Sequence, residues 1–245
     1  MHKESPNIPD HSYESIPLAL MRKTLVLLSG GLNSSCLLSL LIKYDSEIHA
    51  VSFNYGQESL CELRCAEILA ARANVKSHEV LKIDFLKKIF RSSYARTETK
   101  RVGMSIRNAI EYFAIGAAAI IARHLEIRDL FVGSSRCEKL ESQTFGADLT
   151  ALTEAAKAIS AALHYEVKVQ APLISMNKAD VIRLAMENDA GRLLVDSYSC
   201  LSNTKYPCGK CEGCLVRRGA FQKVGIEDPI RKRIELESSF LGMAQ

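Results

Sequence analysis

Two stretches of the 245-residue chain carry residue types whose spacing points to chemistry. The first is Leu28-Ser29-Gly30-Gly31-Leu32-Asn33-Ser34-Ser35. Glycines let a backbone approach an anion closely, and the free N–H groups at a helix N-terminus point at it. Ser29, Ser34 and Ser35 add hydroxyl donors. The plainer reading is a Gly-Gly turn followed by an Asn/Ser cap, and the residues alone leave both open. No Gly-Lys-Ser/Thr follows, so this is not a Walker loop. The second stretch is Cys208-x2-Cys211-x2-Cys214, with Cys200 eight residues upstream. Four thiolates so placed suit a closed tetrahedral zinc site, and an iron–sulfur cluster uses similar spacing. The remaining cysteines, Cys36, Cys61, Cys65 and Cys137, are scattered. Metal binding in a reducing compartment explains the cluster better than a disulfide framework.

Such groups need elements to hold them. Residues 25–28 form an apolar run that ends in Ser29-Gly30-Gly31, which reads as a buried strand entering a turn. Residues 33–43 then follow helical spacing, so the loop stands at a strand-to-helix junction. Further strands are expected at 48–53, 80–83, 130–132 and 166–169, and helices at 62–73, 108–123, 148–163 and 178–186. Alternation of this kind, with strands apolar throughout, implies a five-stranded parallel sheet, doubly wound and covered on both faces. From about residue 195 the long apolar periodicities give way to cysteines, Pro207, Gly209, Gly213 and Pro229. The expected organisation is an irregular extension over 1–20, an α/β domain over 21–194 and a small metal-stapled, partly helical unit over 195–245. The chain could equally start at Met21.

Composition narrows the function classes. Apolar content of 47% and charged content of 24% are ordinary for a globular domain. The formal charge of +4 permits an anionic substrate but is too small to argue for nucleic acid. No stretch reaches the roughly 18 apolar residues of a membrane span, and the longest apolar run, 113–122, lies between Glu111 and Arg123. Glu4, Asp10 and Glu14 argue against a secretory signal. A cytoplasmic protein with neither a membrane nor a direct nucleic-acid partner is expected, as a homodimer.

The loop resembles the PP-loop signature Ser-Gly-Gly-x-Asp-Ser, in the place after the first strand that such enzymes use. The C-terminal cluster resembles the signature of the 7-cyano-7-deazaguanine synthase (QueC) family. There a Ser-Cys precedes a Cys-Gly-x-Cys-x-x-Cys-x-x-Arg-x-x-Ala-Phe run and then Gly-x-x-Asp-Pro. Here Ser199-Cys200, Cys208 to Phe221 with Arg217 and Ala220, and Gly225-Ile-Glu-Asp228-Pro229 stand in those places. Tyr55-Gly56-Gln57, Arg107-Asn108 and Pro172-Leu173 with Lys178-Ala179 match further family patterns. For Arg107 or Lys178 taken singly, a solvated helix charge is the plainer reading. The likeness covers roughly residues 22–230.

The resemblance implies a PP-loop (adenine nucleotide alpha hydrolase-like) fold with a small C-terminal zinc-binding subdomain. It implies ATP with Mg²⁺, split between the α and β phosphates, and a structural Zn²⁺ on Cys200, Cys208, Cys211 and Cys214. Nucleotide contacts fall on Leu28, Ser29, Gly30, Gly31, Asn33, Ser34, Ser35, Tyr55, Gly56, Gln57, Arg107, Asn108 and Gly133. Catalytic roles fall on Asn33, Arg107 and Lys178. The implied reaction converts a 7-carboxy-7-deazaguanine to its nitrile, with ammonia as the nitrogen donor.

Two departures stand out. Asn33 replaces the family's Asp, whose carboxylate helps hold Mg²⁺. An engineered residue, a slow enzyme and a non-catalytic nucleotide-binding partner all fit, and the intact remainder of the loop favours the first two. After Gly133 the family carries an Asn, an Asp and Tyr-Pro-Asp-Cys. Ser134 to Phe145 keeps only Glu138 as the first acid. That change motivates an alternative: a QueC-like enzyme that joins the activated deazaguanine to a protein amine, as in antiphage defence. A zinc-ribbon nucleic-acid binder using Arg217, Arg218, Lys223, Arg231, Lys232 and Arg233 ranks last, since no aromatic platform accompanies them.

Overall fold

The structure is a computed structural model, and it describes residues 23–44, 47–55, 60–83, 100–135, 149–188, 191–202, 204 and 206–231. For 100–109 and 149 it describes the backbone alone. The expected extension over 1–20 lies outside these residues.

In chain order the elements are β1 (Lys23–Leu27), α1 (Leu32–Lys43), β2 (Glu47–Asn54), α2 (Leu60–Arg72), β3 (Ser77–Lys82) and α3 (Lys100–His124). Then come β4 (Asp129–Phe131), α4 (Leu149–Leu163), β5 (Lys168–Gln170), α5 (Lys178–Glu187), α6 (Gly191–Leu194) and α7 (Glu212–Val224). The five strands form one sheet in the order β3-β2-β1-β4-β5, and all four pairings are parallel.

The period-2 alternation of strand side chains explains why successive residues in the middle of β1, β2 and β4 are both apolar and buried. Val26, Ala50 and Phe131 face a core made with α1, α2, α5 and α7. Their neighbours Leu25, Val51 and Leu130 face a second core made with α3 and α4. The sheet is thus doubly wound, as its sequence pattern predicts. Two starts differ by three residues or more. Helix α3 begins eight residues before the expected position 108, because Val102, Met104 and Ile106 alternate with other residues at period two and give no helical stripe to read. Strand β3 begins at Ser77, since polar Ser77, His78 and Glu79 are held by register opposite His49, Ala50 and Val51 rather than by burial. Phe221 and Ala220 of α7 belong to the first core, so the cysteine-bearing segment is docked on the α/β body.

From β1 the chain proceeds outward through β2 to β3, then crosses to β4 on the other side of β1. The carboxyl ends of β1 and β4 therefore flank a topological switch point, the place where open α/β sheets take their ligands.

Candidate functional site

The loop after β1 lies at that switch point. Leu28 extends the ladder by one hydrogen bond, its N–H donating to the Val51 carbonyl at 2.9 Å. Gly30 then turns with φ +86°, and a Cβ there would stand 2.0 Å from the Glu62 carbonyl oxygen. Only glycine fits both demands. Gly31 caps α1 in extended conformation and supplies no side-chain acceptor, so the N–H groups of the first turn receive no side-chain cap. Gly133, two residues past β4, comes so close that a Cβ would lie 3.0 Å from the Ser34 nitrogen. Together these form an anion cradle: bare helix N–H groups between two glycine walls.

The serines divide. Ser29 Oγ lies 3.0 Å from Ser34 Oγ and accepts the Gly31 N–H at 3.1 Å. Both serines line a cleft of about 530 Å³. Ser35, expected as a ligand donor, is fully buried and donates to the Gly31 carbonyl at 2.8 Å. Ser34 donates to the same carbonyl at 3.1 Å, so both hydroxyls are back-bonded into α1 and of the two only Ser34 also lines the cleft.

Lys178 opens α5 behind Asn177, whose side chain accepts the Ala179 and Asp180 N–H groups while Asp180 returns a bond to the Asn177 N–H. This capping box sets the helix start and holds Lys178 at the cleft. Lys178 Nζ donates to Asn33 Oδ1 at 2.6 Å, and Asn33 Nδ2 donates to Ser135 Oγ at 2.6 Å. The amide's polarity fixes this order: its oxygen takes the cation and its nitrogen takes a hydroxyl. An amide oxygen holding an ammonium does not fit a Mg²⁺ ligand as it stands, so no step below passes through a metal at Asn33.

Tyr55, past the end of β2, lines the same cleft. Gly56 and Gln57 lie outside the described residues. So do residues 136–148, with Glu138. Arg107 and Asn108 belong to α3, but their side chains lie outside the description.

The four cysteines converge. Their sulfurs all lie within 4.8 Å of one another, and Cys211 and Cys200 are 3.8 Å apart. Tetrahedral Zn–S bonds of about 2.3 Å put sulfurs about 3.8 Å apart, so the donor set fits such an ion. Backbone N–H groups of Ser202 and Cys208 donate to Cys200 Sγ, and that of Cys211 donates to Cys208 Sγ. The N–H groups of Lys210 and Cys211 pull the Cys208 thiol down to about 6, whereas burial pushes that of Cys214 up to about 12, so the cluster is poised as thiolate at Cys208 and not at Cys214.

Two participants, Glu111 and Tyr198, carry no functional motif in the sequence. Glu111 appeared there only as the boundary of an apolar run. It lines the cleft and accepts a hydrogen bond from Ser134 Oγ. The available signal was its place three and four residues before buried Ala114 and Ile115, on the inward face of α3. Tyr198 donates its N–H to the Gly30 carbonyl at 2.9 Å, tying the cysteine segment to the loop. Arg217 is 5% exposed. It donates to both Asp228 oxygens at 2.6 and 2.8 Å and to Ser197 Oγ at 2.8 Å. It therefore leaves the basic patch that the nucleic-acid reading requires.

Comparison with known proteins agrees with this geometry. A family model described as "Queuosine biosynthesis protein QueC" matches residues 23–225. The 7-cyano-7-deazaguanine synthase of Persephonella marina is 30% identical over 227 residues, covering 85% of this chain and 96% of that protein. That of Rickettsia felis is 28% identical over 229 residues, covering 86% and 99%. Among solved structures, NMN synthetase from Francisella tularensis gives a TM-score of 0.50 at 14% identity, covering 88% of this chain and 82% of that one. At that identity the likeness concerns the fold alone.

Proposed function

Because the chain belongs to the family of the queuosine biosynthesis protein QueC, we propose that it is an ATP-dependent carbon–nitrogen ligase acting on 7-carboxy-7-deazaguanine. The carboxylate attacks the α-phosphorus of ATP and pyrophosphate leaves. Ammonia adds to the acyl carbon and expels AMP, giving the amide. The amide oxygen then attacks the α-phosphorus of a second ATP, releasing pyrophosphate, and loss of AMP and of both amide protons yields the 7-cyano product. Mg²⁺ would accompany ATP as its counterion, where it would screen phosphate charge.

The observation that carries this reading is the cradle at the switch point. Pyrophosphate develops charge as it leaves, and preorganised donors aimed at that charge are worth most where water is excluded. The bare N–H groups of α1, Ser29 and Ser34 supply such donors. The Lys178 ammonium adds a cation beside them. Arg107 is proposed as a second cation, and Tyr55, Gly56, Gln57 and Asn108 as nucleotide contacts. Zinc is the proposed ion of the cysteine cluster, where it closes a fold-stabilising staple.

The test is mass spectrometry of the products after incubation with ATP, ammonia and 7-carboxy-7-deazaguanine. Amide and then nitrile are expected. The altered sequence from Ser134 to Phe145 supports a second reading, in which a protein amine replaces ammonia. A mass addition on a protein with no free nitrile would select it. No AMP from any combination would refute both.

A further inference from the structure

Glu111 is a carboxyl that the reaction above leaves without a task. It lines the cleft, half-buried, beside Ile110 and Ala114 of α3 and Val132 past β4. Ser134, the residue after Gly133, donates to its Oε1. Burial pushes this carboxyl above the usual range, and the Ser134 bond offsets only part of that effect.

Strand order gives the cleft two flanks. Ser52, Phe53 and Tyr55 stand on the β2 side of the phosphate loop, and Val132 and Gly133 on the β4 side, with Ser134 next in the chain. The reaction needs two heterocycles around one α-phosphorus, since the attacking carboxylate approaches in line with the departing pyrophosphate. One base therefore takes each flank, and Glu111 belongs to the β4 flank.

We propose that Glu111, oriented by Ser134, is the specificity residue for the deazaguanine base, its carboxylate accepting from the ring N–H and the exocyclic amine. This assignment rests on the substrate reading above. A guanine-type edge presents two adjacent donors, and a carboxylate presents two acceptors in matching geometry. An adenine edge offers one donor beside an acceptor, so it leaves one carboxylate oxygen unmatched. That mismatch assigns Glu111 to the substrate rather than to ATP. The carboxylate has lone pairs beyond the one that Ser134 uses. Its apolar neighbours make a satisfied pair stronger and an unsatisfied one costlier.

The test uses the full chain, saturated with a non-hydrolysable ATP analogue, and calorimetry with two probes. One is 7-carboxy-7-deazaguanine and the other is the same base without its 2-amino group. The parent is expected to prefer the amino-bearing base by at least about tenfold. Glu111→Gln is expected to lose about 10- to 100-fold in affinity for that base. Its preference should vanish while affinity for the ATP analogue stays unchanged. A structural role alone would lower the melting temperature and leave the preference intact, which would overturn the assignment. Loss of ATP affinity in place of base affinity would also overturn it. If Glu111→Gln does not fold, Ser134→Ala supplies the test, with a weakened preference expected and an unchanged one decisive against. A parent that binds neither base would refute the substrate reading and this assignment together, a result distinct from a parent that binds but ignores Glu111.

Discussion

At Asn33 a single atom type decides which cation the loop holds. An aspartate there presents a full negative charge that Lys178 and a divalent ion can share. The amide presents one neutral oxygen, which Lys178 takes at 2.6 Å. ATP binding should survive, because backbone N–H groups and serine hydroxyls do not need a carboxylate. The chemical step should be slow, and Asn33→Asp should raise the ATP–pyrophosphate exchange rate by about 10²- to 10³-fold with substrate present. Equal rates would remove residue 33 from the metal argument. Glu111 makes a second prediction, now about stability. Burial raises its folded-state pKa above the unfolded value, so the charged form disfavours the native state. That penalty is absent below the unfolded pKa and grows as pH rises through the folded one. Thermal melts of Glu111→Gln and the parent should therefore converge near pH 4 and diverge by pH 8, with the variant the more stable. An advantage independent of pH would show that the carboxyl is not desolvated.

Helix α7 is the element on which the cysteine segment depends. It starts at the cluster, with Cys211 as its cap and Cys214 in its first turn. It ends against the sheet's first core through Ala220 and Phe221. Between them Arg217 crosses to Asp228 and to the Ser197 hydroxyl, and its guanidinium lies 5.3 Å from the Phe221 ring centroid. Removing one partner of a buried ion pair leaves an uncompensated charge, which typically costs about 3–5 kcal/mol. Arg217→Met is expected to lose stability of that order in urea unfolding followed by circular dichroism. A loss under about 1 kcal/mol would mean that the pair is solvated like a surface one.

For the whole molecule, a metal on the four cysteines is expected to be coupled to the cleft. Glu212, Gly213 and Arg217 line the cleft, and the Tyr198 N–H holds the Gly30 carbonyl at 2.9 Å. A thiolate cluster without its ion loses the free energy that orders it. The expected outcome is one zinc per chain by elemental analysis, with chelation weakening ATP binding by calorimetry. Stripped protein that binds ATP as tightly as before would separate the two sites. No helix among the described residues is long and apolar enough to cross a membrane. The expected homodimer is read by light scattering.

The strand–turn–helix loop and the cysteine cluster were legible in the chain alone, because each is local. A strand, a Gly-Gly turn and a helix start within eight residues make an anion site from backbone geometry, and Cys-x2-Cys-x2-Cys needs only one turn to converge. The central strands β1, β2 and β4 were legible too, since burial on both faces keeps them largely apolar, whereas the edge strands β3 and β5 carry polar residues that blur their bounds. What the tertiary structure alone decided is the side-chain chemistry between elements. Asn33 meets Lys178 across 145 positions and Ser135 across 102. Glu111 meets Ser134 because β4 lies beside β1. Ser35 turned inward, and Arg217 left the surface for a buried pair. Periodicity encodes which face of an element is apolar, but not which strand becomes its neighbour. Strand order sets that, and with it the partners of every polar group at the switch point.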